Sequence, residues 1–364
     1  DGYLVANAPH IPVHLGSLGV CVRSLKDVVD MEAGDTIITN HPAYGGSHLP
    51  DVTLVTPVFK KDSELLGYVV NRAHHAELGG TRPASMPPDA TSLVEEGVII
   101  EPFHLVSKGV VNWNKMREIL GSGPWPSRAV EENIADLNAA LAANLAGAEG
   151  LLELAVKHGP GQVTDYMHYL RNYAAERMRL VLGRIPDGRY EAEERLDDNS
   201  ILKVLIEIRE DTCSIDFTGS SEVHPGNMNA TRAIVNSVVI YVLRLLLNEP
   251  LPLNEGILEP VRIWLPESLL NPDFSKAHMD CPAIVGGNVE VSQRLTDTLL
   301  KAFGAMACSQ GTMNNLMVGN EKYSYYETIC GGCGAGPASH GASGVHHHMT
   351  NTRITDPEIL EHRY

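Results

Sequence analysis

Gly45-Gly46-Ser47-His48-Leu49-Pro50-Asp51 sets metal-ligand side chains among glycines that permit tight backbone turns. One strand-like run later (residues 65–71) comes a second cluster, His74-His75-Ala76-Glu77, closed by Gly79-Gly80. Proline in the first stretch argues against a helix, so His48 and Asp51 are expected on a loop that curls both side chains inward. Residues 52–59 and 65–71 alternate and are rich in β-branched types, which predicts two strands joined by a hairpin turn across 60–64. Two ligand-bearing loops can then converge at one end of adjacent strands. Histidine beside glycine and proline is also an ordinary turn residue. Three histidines with carboxylates in two glycine-bounded loops, in a chain with 16 histidines, favour a metal site.

Upstream of this stretch, residues 2–19 read as an extended segment containing His10-Ile-Pro-Val-His14, residues 24–31 as a short helix, and 35–40 as a strand that delivers the first histidine loop. Downstream, residues 83–88 form a proline-rich loop, and Ala84-Ser85-Met86 is close enough in sequence to the second cluster to cover it as a lid. Ala, Leu and Asn at helical spacing predict helices over 127–148, 149–158 and 163–182, broken at Gly159-Pro160-Gly161. After the turn signal Pro186-Asp187-Gly188, residues 189–195, 202–209 and 213–217 alternate as an antiparallel meander. A helix over 227–248, a strand over 261–265 and a helix over 291–308 follow; 311–348 is rich in Gly, Asn, Ser and His and reads as loops. The fold class expected is α+β: mixed and antiparallel sheets carrying metal-binding loops, with a helical insertion and a second α+β part. The boundaries expected are 1–126 for the metal-loop sheet domain and 127–186 for the helical subdomain. Residues 187–364 then form the second α+β domain with its Gly/His-rich C-terminal loops.

The chain has 364 residues and a formal charge of −17 without long acidic runs, a balance that argues against nucleic-acid and anionic-membrane partners. No stretch reads as a transmembrane span; residues 230–247 come nearest and carry Arg232, Asn236 and Arg244. Six scattered cysteines and no secretory signal predict a reduced, cytoplasmic setting. Cys330-Gly331-Gly332-Cys333 lacks a second pair to complete a zinc site. The glycine cluster 331–336 lacks the lysine and hydroxyl of a phosphate-cradling loop, so a flexible turn is preferred there and no ATPase activity is expected of this chain alone. The start at Asp1 without methionine reads as a piece of something longer.

Asn40-His41-Pro42-Ala43-Tyr44-Gly45-Gly46-Ser47-His48-Leu49-Pro50-Asp51 and Asn71-Arg72-Ala73-His74-His75-Ala76-Glu77-Leu78-Gly79-Gly80 resemble motifs of the hydantoinase B/oxoprolinase family. So, in family order, do His10-Ile-Pro-Val-His14-Leu-Gly16, Asp216-Phe217-Thr218-Gly219-Ser220, Gly287-Asn288-Val289-Glu290-Val291-Ser292-Gln293-Arg294 and Thr350-Asn351-Thr352-Arg353-Ile354-Thr355. The resemblance implies a subunit or domain of an ATP-dependent cyclic-amide hydrolase acting on 5-oxoproline or a hydantoin-like ring. It implies ATP bound by a hydantoinase A-type subunit or fused domain, and a divalent metal (Zn, Mn or Fe) on His48, Asp51 and one of His74 or His75. The alternative within the family is an ATP-dependent ketone carboxylase of the acetone or acetophenone type. The family's usual Asp after Asn40 is His41 here, either a changed ligand or none. Glu77 stands where the family often has Asp, as general base or as a carboxylate orienting a ligand histidine. The segment His346-His347-His348, with Asn351 and Arg353 beyond it, is expected near the metal loops.

Overall fold

Thr36–Thr39 (β1), Asp51–Phe59 (β2), Leu65–His74 (β3), Phe103–Ser107 (β4) and Val110–Val111 (β5) form an antiparallel sheet in the order β3-β2-β1-β4-β5. The structure is a computed structural model that describes residues 1–8, 11–60, 64–319, 324–350 and 361. The register pairs Asp51 with His74, Thr53 with Arg72 and Val55 with Val70. Because successive strand side chains alternate between faces, these six share one face, and Val52, Leu54, Asn71 and Ala73 share the other.

Each face is covered by a different layer. On the first, α1 (Ser17–Lys26) packs Cys21, Val22 and Leu25 against Ile37 and Val55. α2 (Leu93–Glu96) follows the second histidine loop. On the second face, α3 (Trp113–Leu120) supplies Met116 and Leu120, and α4 (Val130–His158) supplies Ile134, Leu137 and Leu141, against Ile38, Val52 and Leu54. Burying side chains of this size stabilises by roughly 1.5–3 kcal/mol each, so the strands are clamped from both sides and their ends hold the loops still.

α5 (Pro160–Leu182) runs back to the second core, where Ala174, Met178 and Leu182 pack. There Gly188–Arg195 (β6), Ile201–Arg209 (β7), Thr212–Asp216 (β8) and Val261–Trp264 (β9) lie in the order β6-β7-β8-β9. β8 and β9 are parallel, with α6 (Arg232–Leu247) as the crossover helix that parallel pairing requires. In β7, Leu202, Val204, Ile206 and Ile208 turn into the core beside α6 and α7 (Ser292–Ala302). α4 and α5 thus each contribute to a neighbouring core.

Several expectations are corrected. The first helix is Ser17–Lys26 rather than 24–31, because the apolar residues of 18–25 already recur at helical spacing behind the 3-10 turn Pro12–His14. Three helices over 127–182 are two: Gly147 and Gly150 lie inside a continuous α4, and only Gly159, at φ +84°, breaks the run. α6 begins at Arg232, capped by Thr231, because Asn229 spends its side chain on the carbonyls of His224, Gly226 and Ala283. The helix expected over 291–308 is the π-helix Gly287–Val291 followed by α7. The stretch expected as loops contains two hairpins, Asn314–Gly319 (β10) with Ser324–Ile329 (β11) and Gly331–Cys333 (β12) with Ala342–Val345 (β13). α4 is also long and apolar enough to cross a membrane by length and composition, which the sequence reading did not find. Here Asn144 of α4 bonds Thr56 and the Leu54 carbonyl of the sheet. Residues 351–355, with Asn351 and Arg353 among them, lie outside the described residues.

Candidate metal centre

The first histidine loop is fixed before any ligand is considered. Asn40, fully buried, donates through Nδ2 to the carbonyls of Leu49 (2.8 Å) and Val98 (2.9 Å) and accepts from the Ile100 N–H (2.7 Å). Gly45 has φ +86°, the left-handed region glycine tolerates, and a Cβ on Gly46 would lie 2.4 Å from the Asn40 carbonyl oxygen. The turn therefore closes on itself and drops His48 and Asp51 at the start of β2.

His48, Asp51 and His74 converge there, with one ligand atom of each within 4.8 Å of the others. His48 Nε2 is 3.0 Å from Asp51 Oδ2, and His74 Nδ1 is 3.3 Å from Asp51 Oδ1. The two rings stack with centroids 5.1 Å apart. Asp51 is 1% exposed, and Ser47 Oγ donates to its Oδ2 at 2.6 Å. Burial works to raise the Asp51 carboxyl, but the facing imidazoles of His48 and His14 outweigh it and hold the group well below the usual range.

The sequence reading missed His14 as a member of this group. Its Nε2 lies 3.5 Å from Asp51 Oδ2, and Gly16 N–H, donating to Ser237 Oγ, docks its segment on α6. Burial pushes the His14 imidazole down to about 4, against the pull of Asp51, so it is neutral at pH 7. The one sign of it in the chain was the second histidine of His10-Ile-Pro-Val-His14. Arg72 was missed as well. It donates from Nε to Thr53 Oγ1 (2.8 Å) and from Nη2 to the Gly45 carbonyl (2.7 Å), while Nη1 is buried with no hydrogen-bond partner.

The donor set fits a divalent ion. Both ring nitrogens of His48 are buried and lack a hydrogen-bond partner, although Nε2 faces a carboxylate at 3.0 Å. Bare imidazole lone pairs packed around an ionised carboxylate are what a mixed His/Asp site offers to Zn, Mn or Fe.

His75 and Glu77 lie apart from this group. His75 Nδ1 is 3.2 Å from Asn133 Nδ2 and 3.8 Å from Asp136 Oδ2, on the α4 side. Glu77 accepts from the Gly79 N–H (2.7 Å) and Arg128 Nη1 (3.0 Å) through Oε1 and from the Ala84 N–H (3.0 Å) through Oε2. Ser85, whose Oγ donates to the Gly79 carbonyl and accepts from the Leu78 N–H, ties 83–85 to the same turn. His41 belongs to a separate cluster with Glu101 and His278. Its Nδ1 accepts from the Ala43 N–H at 3.1 Å, so in the neutral ring Nε2 carries the proton, a tautomer that donates toward Glu101 and offers no lone pair there. A cavity of about 1180 Å³ reaches the His48–Asp51–His74 group, with His14, Arg72 and His74 in its wall and β3, α5 and the N-terminal segment around it.

Residues 1–364 match the model of the family described as hydantoinase B/oxoprolinase. 5-Oxoprolinase 1 of Arabidopsis thaliana is 46% identical over 100% of the chain, which spans 30% of that protein. The crystal structure of an ATP-dependent caprolactamase from Pseudomonas jessenii superimposes with a TM-score of 0.84 at 26% identity, covering 100% of this chain and 65% of that one. Nucleotide-free acetone carboxylase shares the fold, with a TM-score of 0.81 at 16% identity over 99% of this chain and 52% of the other.

Proposed function

Because the chain belongs to the hydantoinase B/oxoprolinase family, we propose that it is the ring-opening portion of an ATP-dependent cyclic-amide hydrolase whose substrate is 5-oxoproline. The observation that carries this reading is the convergence of His48, Asp51 and His74 beside the 1180 Å³ cavity. The relatives give it direction, since a 5-oxoprolinase and a caprolactamase are both named for cyclic amides. ATP binds on a hydantoinase A-type subunit or fused domain and phosphorylates the amide oxygen, because an unstrained lactam resists water. Water adds to the activated carbon, the C–N bond breaks as nitrogen takes a proton, and a second water releases phosphate from the acyl phosphate.

His48, Asp51 and His74 would hold the metal, which supplies Lewis acidity toward a carbonyl or phosphoryl oxygen and acidifies bound water. The surrounding residues do the positioning. Ser47 holds the Asp51 carboxylate in one orientation, and His14, kept neutral by its burial, stands against the same carboxylate oxygen. Arg72 adds a fixed positive charge suited to the carboxylate that distinguishes 5-oxoproline from a plain lactam. Glu77, with both oxygens committed to the 77–84 turn, orients that loop rather than moving a proton.

The test measures ATP turnover by the full-length protein with 5-oxoproline, with caprolactam, and with acetone plus bicarbonate. The expected result is ADP formation coupled to ring opening with 5-oxoproline, lost in His48→Ala. Coupling only to acetone plus bicarbonate would replace this reading with the carboxylase.

A further inference from the structure

The helical hairpin α4–α5 carries apolar surface that no described residue covers. α4 is long and apolar enough to cross a membrane, yet its most apolar stretch is 17% buried, and Leu145 (60% exposed) and Val156 (83%) stand in solvent. α5 is apolar on two faces. One sends Ala174, Met178 and Leu182 into the second core. The other carries Tyr166, Tyr169, Tyr173 and Leu180, 61, 61, 39 and 52% exposed, at spacings of three, four and seven residues that align them in one stripe. The histidine segment 346–348 does not reach it: His348 meets Tyr241 of α6 and Asp297 of α7, with no contact among the described residues to the stripe or to His48.

The stripe is organised before any partner arrives. The Tyr169 and Tyr173 rings stack with centroids 6.2 Å apart at 11°, and Tyr166 tilts against Tyr169 at 6.3 Å. On the same helix Arg177 pairs with Glu249, and Arg171 pairs with Glu259 at 2.8 Å. Stacked aromatics with the nearby charges paired internally form an apolar centre inside a polar rim, the composition of a protein–protein contact. Tyr166 also belongs to the wall of the 1180 Å³ cavity. That wall runs from His14, Arg72 and His74, beside Asp51, to His158, Gln162 and Tyr166, which are exposed, so the cavity reaches the surface at the α4–α5 turn. What covers the stripe therefore also closes the cavity.

A second copy would meet the stripe across a two-fold axis, which sets the same face against itself, so that cavity mouth would face cavity mouth. The relatives point elsewhere. The chain spans 30% of the 5-oxoprolinase it matches at 46% identity, so that protein carries most of its length outside this portion. An amide activated by phosphorylation is destroyed by water, and its passage into the cavity requires the part that binds ATP to sit over the mouth. We propose that the α5 stripe of Tyr166, Tyr169, Tyr173 and Leu180 is the docking face of the hydantoinase A-type subunit or domain, which seals the cavity when seated there. The proposal rests on the reading of this chain as the ring-opening portion of an ATP-dependent hydrolase, and names the surface through which that portion is supplied.

The test places p-benzoylphenylalanine at Tyr169 in the full-length protein with its ATP-binding part, irradiates it and maps the crosslinks by mass spectrometry. The expected product joins α5 to the ATP-binding part. A crosslink confined to α5 of a second copy, or none, would overturn the docking face. A second measurement counts ADP formed per 5-oxoproline opened in Tyr169→Glu, a change at an exposed helical position outside the cavity wall. The ratio is expected to rise about 10-fold, the scale on which losing an interface aromatic weakens a contact, with bound metal at the wild-type level. An unchanged ratio would mean that the stripe does not hold the seal. The two readings fail separately. Wild type that opens no cyclic amide but crosslinks as expected sinks the hydrolase and keeps the face, whereas coupled ring opening by wild type with no crosslink sinks the face and keeps the hydrolase.

Discussion

His74 and His75 are neighbours in the chain and face opposite sides of the sheet, so only one can share a face with Asp51. His74 pairs with Asp51 across β2 and β3, whereas His75 looks toward Asn133 of α4. We expect His74→Ala to lose the bound metal measured by elemental analysis and His75→Ala to retain it with a lowered melting temperature. Equal loss in both would mean that His75 as well as His74 holds the metal. Arg72 argues from the same face. Removing its charge in Arg72→Gln should raise KM for 5-oxoproline about 10- to 100-fold, as hydrogen bonds to charged groups contribute roughly 1.5–3 kcal/mol. Turnover of a lactam without a carboxylate should change little; a parallel loss there would show that Arg72 only supports the Gly45 turn.

At the scale of elements, the loop that carries His48 is held from behind by a helix cap. Thr231 Oγ1 donates to the Gly46 carbonyl at 2.9 Å and accepts from the Ile234 N–H at 3.4 Å, so one hydroxyl both starts α6 and braces the turn that precedes His48. Thr231→Val keeps the shape and deletes both bonds. It should cost about 1–2 kcal/mol of stability and weaken metal binding, read as a faster loss to a chelator. An unchanged chelation rate in a destabilised protein would confine the residue to capping.

On the scale of the whole molecule, one fully buried carboxyl is among the links between the sheet half and the second half. Glu96 in α2 is fully buried, and its Oε1 accepts from the Ile284 (2.7 Å) and Val285 (2.8 Å) N–H groups, while Oε2 is unpartnered. Burial raises this carboxyl from 4.5 to about 8, against the two backbone donors. A raised acid binds its proton more tightly when folded, so its contribution is complete below pH 4.5 and is lost as pH rises from there to 8. Glu96→Gln has no proton to lose. The melting temperature of wild type should fall relative to this variant between pH 5 and pH 8, with a stability difference on the order of 3 kcal/mol at the upper end. Parallel pH curves for the two proteins would show that Glu96 does not titrate in that window.

The ligand loops, the hairpin that carries them and the alternating strands of the second sheet were legible in the chain, because glycine-bounded turns and period-two patterns are local properties of a few adjacent residues. His48 and Asp51 were legible for the same reason, being held in one tight turn. The choice of His74 over His75 depended on which residue of β2 lies opposite, and register is a relation between strands. His14 and Arg72 reach the group from outside the loops, one through a docking contact with α6 and the other along β3. The β12–β13 hairpin was hidden because its glycine-rich strands carry almost no apolar alternation, and its pairing is decided by backbone hydrogen bonds. Local sequence determined which side chains could bind an ion; the tertiary structure alone decided which lone pairs lost their water and met around one point, since desolvation and convergence are properties of packed faces and of no single segment.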